Sequence, residues 1–296
     1  MNKLFKYITL VIVALCSLSC SEQEPEREKP FHIYDRMKYP GKPDLSEWKL
    51  SPLELFYESA LVTDGEIDHE KVTAAVAQTK ESGVLAVSTD IESWYWASNG
   101  RSESYVKEGL KEIFDTFKAE IPNVRMGNYG VPIGSLCILR YVESMRDKSE
   151  EEKIARWKRD NNRLPAGEVC DVLYPCFYAM TPDMEQWEKD LATTVAYIKE
   201  HYPDKEIVGY LWPQYYDWST SPYYMQVISE ENFLAMLEAS YKYLDGVVLW
   251  AHGRSHRDYD SPKIDWTDER IQGIWRAIQT FVERHDKNIE LDTNKQ

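Results

Sequence analysis

Asp90-Ile91-Glu92 closes an apolar run, Val84-Leu85-Ala86-Val87-Ser88-Thr89, and is followed at once by Ser93-Trp94-Tyr95-Trp96. Alternate side chains of a strand share a face, so the two carboxyl groups are expected to project together. Carboxyls held close raise each other's proton affinity, which leaves one of them protonated near neutral pH as a general acid. The spacing alone carries little weight, because it recurs at Asp204-Lys205-Glu206, a pair that reads as solvated loop charge. Asp90 and Glu92 stand apart through the strand before them and the aromatic residues after them.

Other apolar runs end in similar company. Asn128-Tyr129-Gly130, Phe177-Tyr178, Trp212-Pro213-Gln214-Tyr215-Tyr216-Asp217 and Trp250 with His252 each follow a strand-like stretch. A single tyrosine is ordinarily a core or rim residue with its hydroxyl satisfied. Several at the ends of successive strands describe an aromatic-walled cleft around two acids. The 20 tyrosines and 10 tryptophans of the chain fit stacking on sugar rings, and Trp94, Tyr210 and Tyr215 are expected among the substrate-binding residues. Arg254 and His256 read as loop charges.

The elements that must position these residues are strands expected at 31–34, 53–57, 84–90, 124–128, 172–177, 207–211 and 246–250. Between them, Val106, Leu110, Ile113, Phe114 and Phe117 share one helical face, and Trp187, Leu191, Val195 and Ile198 share another, at the 3.6-residue period. Thr181-Pro182 offers the second helix a cap and a first-turn proline, and Ser229 can cap the helix carrying Phe233, Leu237 and Tyr241. Strand and helix alternate without an internal repeat or a low-complexity linker. That order predicts an α/β fold, a TIM-like (β/α) barrel whose site lies at the C-terminal ends of its strands. A doubly wound open sheet is the competitor, but no GxGxxG follows the first strand.

Taken in order, these segments resemble the hyaluronidase family, glycoside hydrolase family 56. Its catalytic strand is an apolar run, D-x-E and then x-W, matched here by Leu85-Ala86-Val87, Asp90-Ile91-Glu92 and Ser93-Trp94. Leu55-Phe56-Tyr57 is similar to its early F-Y strand, and Gly127-Asn128-Tyr129-Gly130-Val131-Pro132 to its G-x-Y-G-F-P segment. Leu173-Tyr174-Pro175-Cys176-Phe177-Tyr178 and Gly246-Val247-Val248-Leu249-Trp250 complete the ordered set. The resemblance implies a distorted seven-strand barrel with Glu92 as general acid/base and Asp90 orienting the substrate's N-acetyl group. Tyr178 would bond that acetamido group, while Tyr129 and Trp250 would line the subsite that holds the sugar. It also implies that the acetamido oxygen is the nucleophile, giving an oxazolinium-type intermediate and retention, one of the exceptions to the two-carboxylate scheme. Two carboxyl groups side by side on one strand suit one acid and one orienter, since they cannot flank a glycosidic bond from opposite faces.

The departures redirect the expected substrate. Tyr95-Trp96 stand where the family has Arg-Pro, which removes a charge-assisted contact to an acidic sugar. The chain carries 35 Lys+Arg against 50 Asp+Glu, a net −15, and loss of a leader holding Lys3 and Lys6 leaves 33 against 50, or −17. Such a surface repels nucleic acid and anionic lipid, and disfavours a polyanion such as hyaluronan. A glycan containing a neutral N-acetylhexosamine is therefore expected. Two readings compete: a surface glycan-binding lipoprotein without catalysis, and an ordinary retaining or inverting glycosidase that uses Asp217 as its second carboxylate.

At the N-terminus, Lys3 and Lys6, an apolar run over 7–15 and Ser17-Leu18-Ser19-Cys20 read as a signal peptide with a lipobox. The expected organisation is a leader over 1–19, lipidation at Cys20, an acidic tether over 20–30, one glycosidase-like domain over 31–286 and a frayed tail over 287–296. The protein is thus expected to be exported and lipid-anchored to the bacterial outer membrane, on its periplasmic or cell-surface face. Cys137, Cys170 and Cys176 leave one disulfide and one free thiol open, and Cys137 with Cys170 would substitute for the family's bridges. No CxxC, HExxH or HxH is present, so neither a metal nor an organic cofactor is expected.

Overall fold

The computed structural model describes residues 27, 29–95, 101–160, 163–218, 220–256 and 260–292. The leader, Cys20, most of the 20–30 stretch and Trp96 lie outside these residues. Phe31 opens a compact unit that runs to the C-terminus.

Its strands are β1 (His32–Met37), β2 (Leu50–Pro52), β3 (Glu54–Tyr57), β6 (Ala86–Asp90), β7 (Arg125–Asn128), β8 (Val172–Leu173), β9 (Glu206–Leu211) and β10 (Gly246–Ala251), with a small antiparallel hairpin, β4 (Val62–Thr63) and β5 (Glu66–Ile67), outside the main circuit. β2 pairs with β1, while β3 pairs with β6. Only Leu53 separates β2 from β3, so residues 50–57 act as one strand handed from one sheet to the next. On the far side β6 pairs with β7, β8 with β9, β9 with β10 and β10 with β1, all parallel. The β7–β8 seam is closed by a parallel bridge between Tyr129 and Tyr174 and by the Asp171 N–H, which donates to the Met126 carbonyl. The circuit is an α/β barrel in which seven strands run, at the places where the apolar runs lie.

Eight helices surround it among the described residues: α1 (His69–Ser82), α2 (Glu103–Glu120), α3 (Leu136–Leu139), α4 (Glu150–Asp160), α5 (Leu164–Gly167), α6 (Met184–His201), α7 (Glu230–Tyr243) and α8 (Glu269–Arg284). The face of α2 carrying Val106, Leu110, Ile113, Phe114 and Phe117 is buried, as is the Trp187, Leu191, Val195 and Ile198 face of α6. Each such side chain contributes about 1.5–3 kcal/mol by leaving water. Ser229 caps α7 by accepting from the Asn232 N–H. The cap of α6 is Asp183 instead of Thr181: its carboxylate accepts from the Gln186 N–H at 3.0 Å, and Thr181 Oγ1 accepts from the Asp183 N–H. The Trp187 indole on α6 donates to the Phe177 carbonyl at 3.0 Å, which fixes the chain one residue before Tyr178. Phe177 in turn fills the space beside Gly209, where a Cβ would stand 2.7 Å from its ring.

The expected frayed tail is packed as far as residue 292. Ile289 is buried and bridges Phe31, and Asp292 accepts from the Tyr34 hydroxyl at 2.8 Å and pairs with Arg125 at the barrel floor. Arg125 also meets Glu206 at 2.6 Å, so the tail supplies a second carboxylate to a half-buried guanidinium. The question left open for the cysteines is answered by free thiols: Cys137, Cys170 and Cys176 are free and buried. Cys170 donates to the Ala166 carbonyl, and burial pushes its thiol up to about 12.

One buried ion pair ties α6 to the barrel's outer layer. Arg140, just after α3, grips Asp190 with Nε–Oδ2 at 2.8 Å and Nη2–Oδ1 at 2.6 Å, and Gln186 donates to the same carboxylate. Asp190→Ala leaves Arg140 with Glu150 alone, an exposed partner 2.5 Å from its Nη1, so the loss in urea unfolding is expected at or below the lower end of the roughly 3–5 kcal/mol that breaking a fully buried pair costs. The double change Arg140→Met with Asp190→Leu should cost less than Asp190→Ala alone; an equal or larger loss would show that the pair's electrostatics are not what the site depends on.

Candidate active site

The acid pair sits at the C-terminal end of β6, but the two carboxyl groups occupy different surroundings. The strand ends at Asp90, and Glu92 opens a single 3-10 turn, Glu92–Trp94, so strand alternation no longer governs it. Asp90 is largely enclosed and one of its carboxyl oxygens is buried without a hydrogen-bond partner among the described residues. Burial first, and then the Glu92 charge, push its carboxyl up to about 7, with Arg163 opposing and Glu58 adding to the rise. Glu92 is exposed to the cleft. Glu58, from the turn after β3, accepts from the Ser93 N–H at 3.0 Å and so anchors the turn that carries Glu92.

The aromatic wall is built from four strand ends. Tyr178 lies nearly parallel to Trp250 at 5.8 Å and to Tyr216 at 6.0 Å, with Trp212 edge-on to it at 5.4 Å. The Trp250 indole donates to the Tyr57 hydroxyl at 3.0 Å, and Tyr57 is the register partner of Asp90. Tyr129 meets Tyr178 at 6.1 Å and Tyr210 at 5.0 Å, and its hydroxyl faces the Cys176 thiol. Burial raises the Tyr129 and Tyr178 phenols well above their ordinary range, so both stay neutral hydrogen-bonding groups. Trp250, Tyr129 and Tyr216 are partly exposed, with Tyr178 and Trp212 buried behind them, so the exposed rings offer faces that can stack on a sugar and phenols that can hydrogen-bond it beside the raised Asp90 carboxyl.

Asp90, Glu92, Tyr178, Tyr129 and Trp250 therefore come together. Tyr210 lies below them as floor: it is 1% exposed, and its hydroxyl lies near Ser88, Asp90 and Arg36. Trp94 and Tyr215 go elsewhere. Trp94 is buried, donates to the Gly65 carbonyl at 3.0 Å and packs edge-on against Tyr105 of α2, because the 3-10 turn swings it into the helical layer. Tyr215 packs on Tyr223 and its hydroxyl accepts from Asn232 at 3.3 Å, while its neighbour Tyr216 takes the place in the wall. His252 stands edge-on to Trp212 and Trp250, and its imidazole feels the Asp217 carboxylate, so Asp217 lies on that flank of the wall.

The site also holds cations that the sequence did not signal. The Arg163 guanidinium lies 4.1 Å over the Tyr95 ring, next to Asp90 and Glu92. Arg36 reaches the Leu53 carbonyl at 3.1 Å, and Lys38 sits 5.6 Å over the Tyr57 ring. Arg163 is the cation that acts on Asp90, while Arg36 and Lys38 are held on the Leu53 carbonyl and the Tyr57 ring. Among the described residues no cluster of His, Cys, Asp or Glu is arranged to hold a metal ion.

No protein-family model matches the chain, and no curated protein matches it in sequence. Solved structures do. Bee venom hyaluronidase in complex with a hyaluronic acid tetramer is 13% identical over 86% of this chain and 96% of that chain, with a TM-score of 0.52. A chitinase from Chromobacterium violaceum is 11% identical over 86% of this chain and 91% of its own, with a TM-score of 0.44. An endo-1,4-β-D-mannanase from Thermotoga petrophila is 12% identical over 86% of this chain and 99% of its own, at 0.45. At 13% identity the likeness to the bee venom enzyme speaks for the fold alone, a TIM-type α/β barrel.

Proposed function

We propose that the protein is a glycoside hydrolase that cleaves glycans containing a 2-acetamido sugar, with retention and with the acetamido oxygen as nucleophile. The observation that carries this reading is the buried Asp90 carboxyl, held protonated to about pH 7 beside an exposed Glu92 at the mouth of the barrel. Glu92, open to the cleft, is the general acid: the pair holds one proton, which passes from Asp90 to Glu92 and on to the departing oxygen, and Glu92 as a carboxylate is then the base that activates water. Asp90, having given up that proton, accepts from the acetamido N–H, which orients the group, and its carboxylate stabilises the positive charge of the oxazolinium. Tyr178 bonds the acetamido oxygen, and Tyr129 and Trp250 hold the ring. Support comes from the barrel, from the aromatic wall and from the overall likeness to a hyaluronidase bound to its oligosaccharide.

The proposed setting is the cell envelope, with the chain exported and lipid-anchored through Cys20 to the outer membrane; palmitate labelling of the wild type, lost in Cys20→Ala, tests it. For the substrate, the lipid-free protein is to be incubated with chitooligosaccharides, hyaluronan, chondroitin and an acetamido-free β-glucan, and new reducing ends are to be measured. Cleavage confined to 2-acetamido glycans, with NMR showing retained configuration, is the expected result. Inversion, or cleavage of the β-glucan, would move the reaction to a two-carboxylate scheme with Asp217 as the first candidate partner. Binding without cleavage would make the protein a glycan-capture lipoprotein.

A further inference from the structure

Arg163 stands in an irregular stretch just before α5, with no strand or helical face to account for its placement, yet several contacts fix it. Its backbone N–H donates to the Pro132 carbonyl at 3.0 Å, and Nη1 donates to the Gly130 carbonyl at 3.2 Å. The guanidinium face lies 4.1 Å above the Tyr95 ring. Gly130 adopts a left-handed φ of 73°, and a Cβ there would stand 2.6 Å from Nη1, so a glycine leaves the room the guanidinium occupies. This clamp joins the loop after β6, which carries the acid pair, to the loop after β7, which carries Tyr129.

We propose that Arg163 is a positioning residue that balances the Asp90–Glu92 pair, clamped for that purpose between the Tyr95 ring and the Gly130 carbonyl. The proposal rests on the reading of that pair as the reacting acids. The groups facing Asp90 are Glu92 from the turn that follows it, Glu58 from the turn after β3, Arg163, and the neutral hydroxyls of Tyr95, Tyr178 and Tyr210. Those facing Arg163 are Tyr95, Tyr129, Glu92 and Cys176. Three carboxyl groups thus crowd one mouth, and without a nearby cation the pair would retain its proton to a higher pH. An aromatic face suits this duty, because it holds a guanidinium without neutralising it. A carboxylate partner in place of Tyr95 would cancel the charge before it reached Asp90.

The test reads the Asp90 carboxyl directly. The protein is labelled with 13C at aspartate Cγ, the Asp90 resonance is assigned by its loss in Asp90→Asn, and the pH midpoint is followed in Arg163→Met and Arg163→Lys. Removing an opposite charge from a nearby carboxyl raises its midpoint by on the order of one unit, so Arg163→Met should titrate that much higher and Arg163→Lys close to the wild type. In Gly130→Ala, which displaces the guanidinium without removing it, the midpoint should rise by a smaller amount. This variant carries the test if Arg163→Met fails to fold. An unchanged midpoint in a folded Arg163→Met, or in Gly130→Ala where Arg163→Met does not fold, overturns the proposal and leaves Arg163 a structural clamp. The titration does not depend on turnover. A shifted midpoint in a protein that cleaves no glycan would defeat the glycosidase reading alone, and Glu92-dependent cleavage with unshifted midpoints would defeat the role of Arg163 alone.

Discussion

Glu92→Gln is expected to slow glycan cleavage by roughly 10²–10⁴-fold, the contribution of a positioned general acid/base, while leaving the fold and the stability intact. The side chain is exposed and the substitution keeps its size, so little packing is lost. The loss should appear in kcat with little change in KM, because the proton is needed in the transition state and the rings that hold the sugar are untouched. In the wild type, kcat/KM should fall on the alkaline side with a midpoint near 7, where the pair gives up the proton held on Asp90. In the variant the residual rate should lack recovery at any pH. Activity within threefold of wild type would remove Glu92 from the chemistry and turn attention to Asp217.

Asp90→Asn stabilises the protein at pH 8 and inactivates it at the same time. The native carboxyl titrates near 7, above its ordinary 3.8, so the folded state binds a proton more tightly than the unfolded chain. Stability therefore falls as pH rises from about 4 to about 7 and stays low above that, because the native state must then bury a carboxylate. The rise of about three units corresponds to at most about 4 kcal/mol at 1.36 kcal/mol per unit, reduced by whatever solvent reaches the group. Asparagine cannot ionise, so the gain should be largest at pH 8 and vanish at pH 4. Thermal unfolding at the two values reads this directly. A destabilisation of equal size at both would mean that Asp90 is held by hydrogen bonds the asparagine breaks. A gain in stability from losing a reacting group is the expected signature of a site built against the interest of the fold.

The legible part of this molecule is the part that repeats. Val84 to Asp90 and Gly246 to Trp250 announce strands because apolar side chains line a buried sheet, and α2 and α6 announce their inner faces through the 3.6-residue spacing. Strand ends are legible for the same reason, since the polar residue that stops an apolar run must stand at the barrel mouth. The structure brings Asp90, Tyr129, Tyr178 and Trp250 beside one another at those ends. Legibility fails one or two residues later. Beyond Asp90 and Leu211 the chain leaves the ladder, and whether Trp94 or Tyr95, Tyr215 or Tyr216, faces the cleft depends on turns whose shape is set by distant partners such as Gly65 and Asn232.

By itself, then, the sequence determined the barrel, its seven strands, the acid pair and the aromatic residues around it, because each is written in local period and in the residue that breaks it. Only the tertiary structure decided what each acid would be. Enclosure raises the proton affinity of Asp90, the turn after it leaves Glu92 exposed, and Arg163 arrives at their side from 71 positions along the chain. The same holds for Asp292 under Arg125 and for three cysteines that pack instead of pairing. Burial and charge proximity are properties of three-dimensional distance, and they leave no period in the chain from which to read them.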